Sequence, residues 1–416
     1  MIKSKIASIS LLIFLFFRCG DDSPGGTAVP GEVSALYNLM NEWYFWKDQL
    51  AQGYDLHTFS SSYELLDSMI YSELDRFSYI KDKAEYDQYF SAGQYEGFGF
   101  SMRAVDNEIY TTKVYSDSPI GSKGVKRGWR ILEIDGQFID GLEKAYSLLK
   151  TTNTFRMINH ESDTLEFVLT KSTVNINTVL DSQVIPSTIG NIGYLVFDAF
   201  LETSKSELDK SFAEFETEGI KTLVLDLRYN GGGRLDVANY LGNKLVPSSS
   251  TGKVLTQLKY HESKSSNDIF YYFEKDGSLD LNEIVIITTE STASASELIV
   301  TGLEPFMKVT LIGTGSTYGK PVGQNSWSYD DRLIFAFVTF NYVNSLGEGS
   351  FYDGIPSDLI SCDNIKFDFG DPNEIMLKDA IMYLETGTVS NCPSISSRQN
   401  NQILKLEGLQ REIGAF

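Results

Sequence analysis

The rhythm of apolar and polar positions changes twice along the chain, dividing it into three blocks. From Val33 to Leu50, VSALYNLMNEWYFWKDQL sets Val33, Leu36, Tyr37, Met40 and Trp43 three and four residues apart, which predicts an amphipathic helix. Shorter helical stretches follow around Tyr63 to Tyr71 and Lys83 to Phe90, so 31–92 reads as a small helical N-terminal domain whose aromatic residues fit a core better than a ligand platform. Over 93–171 the rhythm becomes strand-like, alternating in EIYTTKVY and DTLEFVLTK with glycines between them. Over 172–387 short apolar runs alternate with helical ones: IGYLVFDAF and KTLVLDLR flank SKSELDKSFAEFETEG, while EIVIITT and VTLIG flank SASELIVTGLEPF. That alternation predicts α/β layers, so the fold class expected is α/β multidomain.

Composition narrows the function classes. At 416 residues, with 42% hydrophobic positions, the chain has enough apolar surface for several cores. A formal charge of −21 argues against a nucleic-acid partner. The start, MIKSKIASISLLIFLFFRCGDDSPGG, places two lysines before the apolar run Ile9 to Phe17, too short for a comfortable membrane span and suited to a signal peptide over 1–19, with a linker over 20–30. Cys19 stands where a bacterial lipoprotein is cleaved and lipidated, so export to the cell envelope, periplasm or outer membrane, with a lipid anchor is expected. In an oxidising compartment Cys362 and Cys392 can form a disulfide, two buried free thiols being the alternative. No Cys/His cluster points to a metal, no organic cofactor is implied, and His57, His160 and His261 share no motif, which weakens a Ser/His/Asp triad.

The chemistry sits in four short motifs. Gly97-Phe98-Gly99-Phe100, followed by KGVKRGWRILEIDG, resembles a PDZ domain, in which a glycine-rich loop offers backbone N–H groups to a peptide's terminal carboxylate; an ordinary glycine-bulged hairpin is the alternative. LVLDLRYNGGG ends an apolar strand in Asp226 and Arg228, and its glycines can turn N–H groups outward. TTESTASASELIV crowds Ser291, Ser294 and Ser296 into a strand-to-helix corner, where they can be helix caps or include a nucleophile. GTGSTYGKPVGQ carries Lys320 with Gln324 four residues on.

Taken in order, the last three motifs resemble the C-terminal processing peptidases, or tail-specific proteases, across essentially all of the third block. The resemblance implies a ClpP/crotonase-like catalytic core, Ser294 as nucleophile, Lys320 as base, Gln324 orienting it, and an oxyanion hole from the backbone N–H of Ala295 with that of Gly231 or Gly232. Glu297, Asp226 and Arg228 are expected to support the site. The chemistry is coherent, because a serine needs a neighbouring base and only a neutral lysine can serve; lowering a reference pKa of about 10.4 by about three requires about 4 kcal/mol from burial or positive charge.

The expected function is a serine endopeptidase that cuts exported polypeptides near apolar C-terminal tails, with oligomeric state open. The rivals are a non-catalytic peptide-binding scaffold and a hydrolase of small acyl compounds. A last expectation concerns 388–416, a polar tract followed by an apolar end at Ile413, Ala415 and Phe416, which can dock on the chain's own Gly97–Phe100 loop or lie idle.

Overall fold

The computed structural model of the protein describes residues 28–274, 279–281 and 283–390. Cys19, Cys392 and the apolar end at Phe416 lie outside the described residues, as do the expectations placed on them.

The third block is built on a six-stranded sheet, ordered Val179–Ile185, Ile192–Phe197, Thr222–Asp226, Glu283–Thr288, Lys308–Gly313 and Leu359–Ile360. The first pair is antiparallel and the rest are parallel. Continuous apolar runs are what a parallel sheet covered on both faces demands. Period two sorts them: Leu223, Leu225, Ile284 and Ile286 face the helices Ser204–Thr217, Leu235–Leu245 and Ala295–Leu303, whereas Val224, Val285 and Ile287 meet Met376, Leu377 and Ala380 of Ile375–Thr386. The ends of Thr222–Asp226 and Glu283–Thr288 thus lie side by side, and both the glycine loop and the serine corner follow from them.

The second sheet carries the lysine motif. Val322–Tyr329 pairs antiparallel with the long strand Leu333–Val343, which also pairs with Val254–Tyr260 and with Tyr79–Asp82. That last strand belongs to the first block, which was expected to be helical throughout. Its helices Gly31–Trp43 and Ser62–Met69 share one apolar cluster with Val322, Phe335, Phe337 and Val338, so the block packs as part of this sheet. The first helix also ends earlier than its spacing predicts. Tyr44 turns extended so that its buried hydroxyl can donate to Asp75 (2.8 Å) and accept from the Tyr71 N–H (2.8 Å).

The middle block has its own core of Phe98, Phe100, Ile131, Ile134, Phe155 and Met157, within a sheet whose edge strand is Phe100–Val105.

Candidate active site

The crowded corner divides its hydroxyls by task. Thr292 Oγ1 donates to the Leu227 carbonyl (2.8 Å) and accepts from the Thr289 N–H (3.0 Å), tying the corner to the neighbouring strand end. Ser296 Oγ donates to the Asn230 carbonyl (3.1 Å), binding helix to glycine loop. Ser294 caps the helix Ala295–Leu303 at φ +56°, ψ −116°, a conformation that costs a non-glycine residue about 1–3 kcal/mol and signals a constrained position. Of the three serines, Ser294 lines a cavity of about 210 Å³, together with Lys320 and Gln324.

The glycine loop presses on this serine. Gly232 sits at φ +105°, where a Cβ would come within 2.7 Å of the Ser294 Cβ and 2.9 Å of the Ala295 nitrogen, so only glycine fits. Its N–H donates to Asn230 Oδ1 (2.9 Å). Asn230 uses its one acceptor oxygen to hold the turn while its carbonyl receives the Ala293 N–H (3.0 Å). Of the two expected donors, Gly231 therefore keeps an N–H that the Asn230 side chain does not engage.

Serine and lysine are joined through their backbones by two buried side chains. Glu297 Oε2 accepts the N–H of Ser294 (2.8 Å) and of Lys320 (2.9 Å), while Oε1 accepts from Gly319 N–H (2.7 Å) and Thr317 Oγ1 (2.5 Å). Burial pushes the carboxyl pKa up, and these four donors oppose that rise. From the other side, the Tyr342 hydroxyl lies 2.9 Å from the Ser294 carbonyl and 2.7 Å from that of Lys320, sharing its proton between them. Burial and then the charge of Glu297 raise the tyrosine's pKa, so it stays a donor. Glu297 had been expected to support the site; Tyr342, 48 positions from Ser294, gave no local signal.

The first block reaches the lysine as well. Arg76 Nη2 donates toward the carbonyls of Tyr318 (2.9 Å), Gly319 (3.2 Å) and Tyr352 (3.1 Å), gripping the chain just before Lys320. Its guanidinium stacks 4.7 Å from the Tyr318 ring centroid and 5.2 Å from that of Phe77. Lys320 Nζ lies 5.8 Å from the same Phe77 ring and 3.5 Å from Gln324 Oε1, and the Gln324 amide donates to the Phe77 carbonyl. Asp75 fixes this turn by accepting from the Phe77 and Ser78 N–H groups. The run DRFSYI was the signal available for this brace, and only the fold makes it legible.

Asp226 and Arg228 lie behind the glycine loop. Arg228 donates to Asp226 (2.6 Å) and to Asp363 (3.1 Å), and all three are buried. Asp363 also pairs with Arg127 (2.8 Å) and Arg103 (3.3 Å) of the middle block and accepts from the Tyr229 hydroxyl. Burial alone would raise its pKa; the three guanidinium groups outweigh that and hold the carboxyl well below the usual range. A second buried contact joins Lys113 of the middle block to Asp198 at 2.7 Å.

The Gly97–Phe100 loop does not line the Ser294 cavity. The Phe98 and Phe100 rings pack on Phe155, and the Phe98 and Gly99 carbonyls accept from Ile120 (3.1 Å) and Tyr115 (3.0 Å). Gly99, at φ +94°, leaves no room for a Cβ beside Ser118. Cys362 is buried. Among the described residues no His/Cys/Asp/Glu group could hold a metal ion, and no helix is long and apolar enough to cross a membrane.

Comparison with known proteins places this geometry. Residues 191–361 match the model of peptidase family S41, and residues 34–79 match that of the peptidase S41 N-terminal domain. The chain is 27% identical over 296 residues to the carboxy-terminal processing protease CtpA of Bacillus subtilis, covering 69% of this chain and 61% of that protein. It is 23% identical over 335 residues to a CtpA-like serine protease of Staphylococcus epidermidis, covering 79% and 64%. The chain thus spans less than two thirds of the length of these relatives. Among solved structures, a protein from Bacteroides fragilis assigned to the S41 proteases superposes with a TM-score of 0.72 at 22% identity, over 89% of this chain and 100% of that one. The photosystem II D1 C-terminal processing protease superposes at 0.52 with 18% identity, over 80% and 93%. At those identities the likeness is one of fold.

Proposed function

This chain belongs to peptidase family S41, and from that premise we propose that it is a serine endopeptidase working through Ser294 and Lys320 on a ClpP/crotonase-like core. The observation that carries the reading is the double clamp: Glu297 holds the N–H groups, and Tyr342 meets the carbonyls, of these same two residues, whose side chains line one cavity.

In the proposed reaction Ser294 Oγ attacks the scissile carbonyl carbon as its proton passes to the neutral Lys320 amine. The N–H groups of Ala295, at the positive end of its helix, and Gly231 receive the oxyanion. The carbon–nitrogen bond then breaks as Nζ returns the proton to the leaving amine. Water repeats the cycle on the ester: its proton goes to Nζ, its oxygen adds to the carbonyl carbon, and Ser294 Oγ leaves with the proton. Gln324, held by the Phe77 carbonyl, orients the amine.

The middle block, in this reading, is a PDZ-like receptor for apolar C-terminal tails, whose edge strand Phe100–Val105 pairs with the tail while the Gly97–Phe100 loop takes its carboxylate. Export and a lipid anchor at Cys19 complete the proposal, placing the enzyme in a bacterial cell envelope.

The test is cleavage of a peptide ending in apolar residues by wild type, Ser294→Ala and Lys320→Ala. Each variant should lose about 10⁴–10⁶ in kcat while keeping the wild-type circular dichroism, because nucleophile and base act as one unit. Full activity in either variant would refute the dyad. Tail binding without cleavage by wild type would favour the scaffold reading.

A further inference from the structure

The cavity beside Ser294 has a wall that the catalytic chemistry does not need. Tyr79, Tyr86 and Phe90 of the first block line it together with Phe340, all within the same 210 Å³ that Ser294 and Lys320 share. Tyr86 and Phe90 stand four positions apart on the helix Lys83–Phe90, so both rings project from one face. Their centroids are 4.6 Å apart, and Phe90 abuts the buried Tyr89 edge to face at 4.9 Å. The Tyr86 hydroxyl lies 2.8 Å from Ser326 Oγ, which fixes the ring against the strand Val322–Tyr329 that follows Lys320.

The helix itself is secured at its start. Asp82 accepts the Ala84 N–H (2.8 Å), and the Lys83 N–H donates to the Arg332 carbonyl (2.9 Å). These rings are half-buried and line the cavity. Ser91, Arg234 and Ser326 also line the cavity, and the rings give it one aromatic side; that side suits an apolar side chain, since filling it removes ring and ligand surface from water together.

Resting on the endopeptidase reading above, we infer that Tyr79, Tyr86 and Phe90 form a selectivity subsite, in which the first block admits a large apolar side chain of a residue flanking the scissile bond. Selection at the cut is then made by a different block from the one that would hold the tail. One methylene in such a pocket is worth about 10–200-fold, so leucine or phenylalanine should exceed alanine at that position by at least about tenfold in kcat/KM.

The experiment is digestion of a peptide library sharing one apolar C-terminal tail and randomised over the interior, with the new termini sequenced to give the preference at both flanking positions. Wild type should enrich Leu, Phe or Met at one of them. Tyr86→Ala and Phe90→Ala should flatten that enrichment by about tenfold, and Tyr86→Phe, which keeps the ring, should retain it. Tyr86 is the more peripheral of the two, so its variant serves where loss of Phe90 disturbs the packing on Tyr89. A fluorophosphonate probe, with its site mapped on Ser294, runs alongside. A cut library with flat preferences, or enrichment unchanged in Tyr86→Ala, overturns the subsite alone. An uncut library with Ser294 labelled overturns the endopeptidase reading and the subsite with it.

Discussion

The first and middle blocks both pack against the catalytic block, but in different ways. The first block shares an apolar cluster with Val322, Phe335 and Phe337 and meets the lysine loop through backbone carbonyls, by way of Arg76 and Phe77. The middle block keeps its own core and meets the catalytic block both through an apolar cluster, Tyr95 and Tyr115 with Val174, Ala199 and Leu201, and through buried ions, Arg103 and Arg127 on Asp363 and Lys113 on Asp198. Apolar fusion makes a permanent joint whose cost of separation grows with buried area. A buried ionic joint contributes little net stability when whole but is expensive to break by halves. The first joint therefore bears on how accurately Lys320 is placed, and the ionic part of the second adds to the apolar contacts that dock the middle block.

The sharpest way to break this contrast is Asp363→Asn, which takes the shared carboxylate from Arg103, Arg127 and Arg228, while Arg103 keeps Glu290 and Arg228 keeps Asp226 and Glu374. Unfolding free energy should fall by about 3–5 kcal/mol, read from denaturant melts. Because the folded carboxyl titrates below its unfolded value of about 3.9, its contribution is present above that pH and lost as pH falls toward the folded value. The gap between wild type and Asp363→Asn should accordingly narrow as melts are taken from pH 5 down toward pH 3, on the order of the unfolded value. A gap independent of pH would show that the carboxylate's charge is not what docks the block.

Next in size is Glu297→Gln. An amide NH₂ would confront N–H donors that now converge on a carboxylate, shifting serine against lysine, and a misplacement of about 1 Å can cost about 10²-fold in rate. The loss should fall on kcat, with KM for tailed peptides nearly unchanged. A variant with wild-type kcat would show that the clamp does not set the geometry.

The smallest effect belongs to Arg76→Ala. The side chain is exposed, so stability should change by less than about 1 kcal/mol. Its grip on the carbonyls before Lys320 should still matter by about tenfold in kcat, with Arg76→Lys recovering part, because an ammonium can donate to the same oxygens. A purely structural Arg76 would move the melting temperature and leave kcat alone, the reverse of this expectation.

Much of this molecule could be read from local pattern. The strands Thr222–Asp226 and Glu283–Thr288 and the helix Ala295–Leu303 fall where apolar runs and helical spacing place them, because both sheet faces are covered. Ser294, Lys320 and Glu297 were legible as motif positions. Tyr342, Arg76 and Asp363 were not, since each works on partners 22 to 276 positions away and has no neighbour that advertises the contact. Gly232 shows the limit within a motif: three consecutive glycines look interchangeable as donors, and only the Asn230 side chain decides which N–H is already engaged. The strand Tyr79–Asp82 escaped notice because its hydrogen-bonding partner lies in the third block.

The central claim is that Ser294 is a nucleophile activated by Lys320, and the most direct measurement is the rate of covalent modification by a fluorophosphonate, with the modified residue identified by peptide mapping. The account predicts a single adduct on Ser294 in wild type and a rate at least about 10³-fold lower in Lys320→Ala, consistent with the loss of a paired base. An adduct on Ser291 or Ser296, or equal rates in wild type and Lys320→Ala, would contradict it.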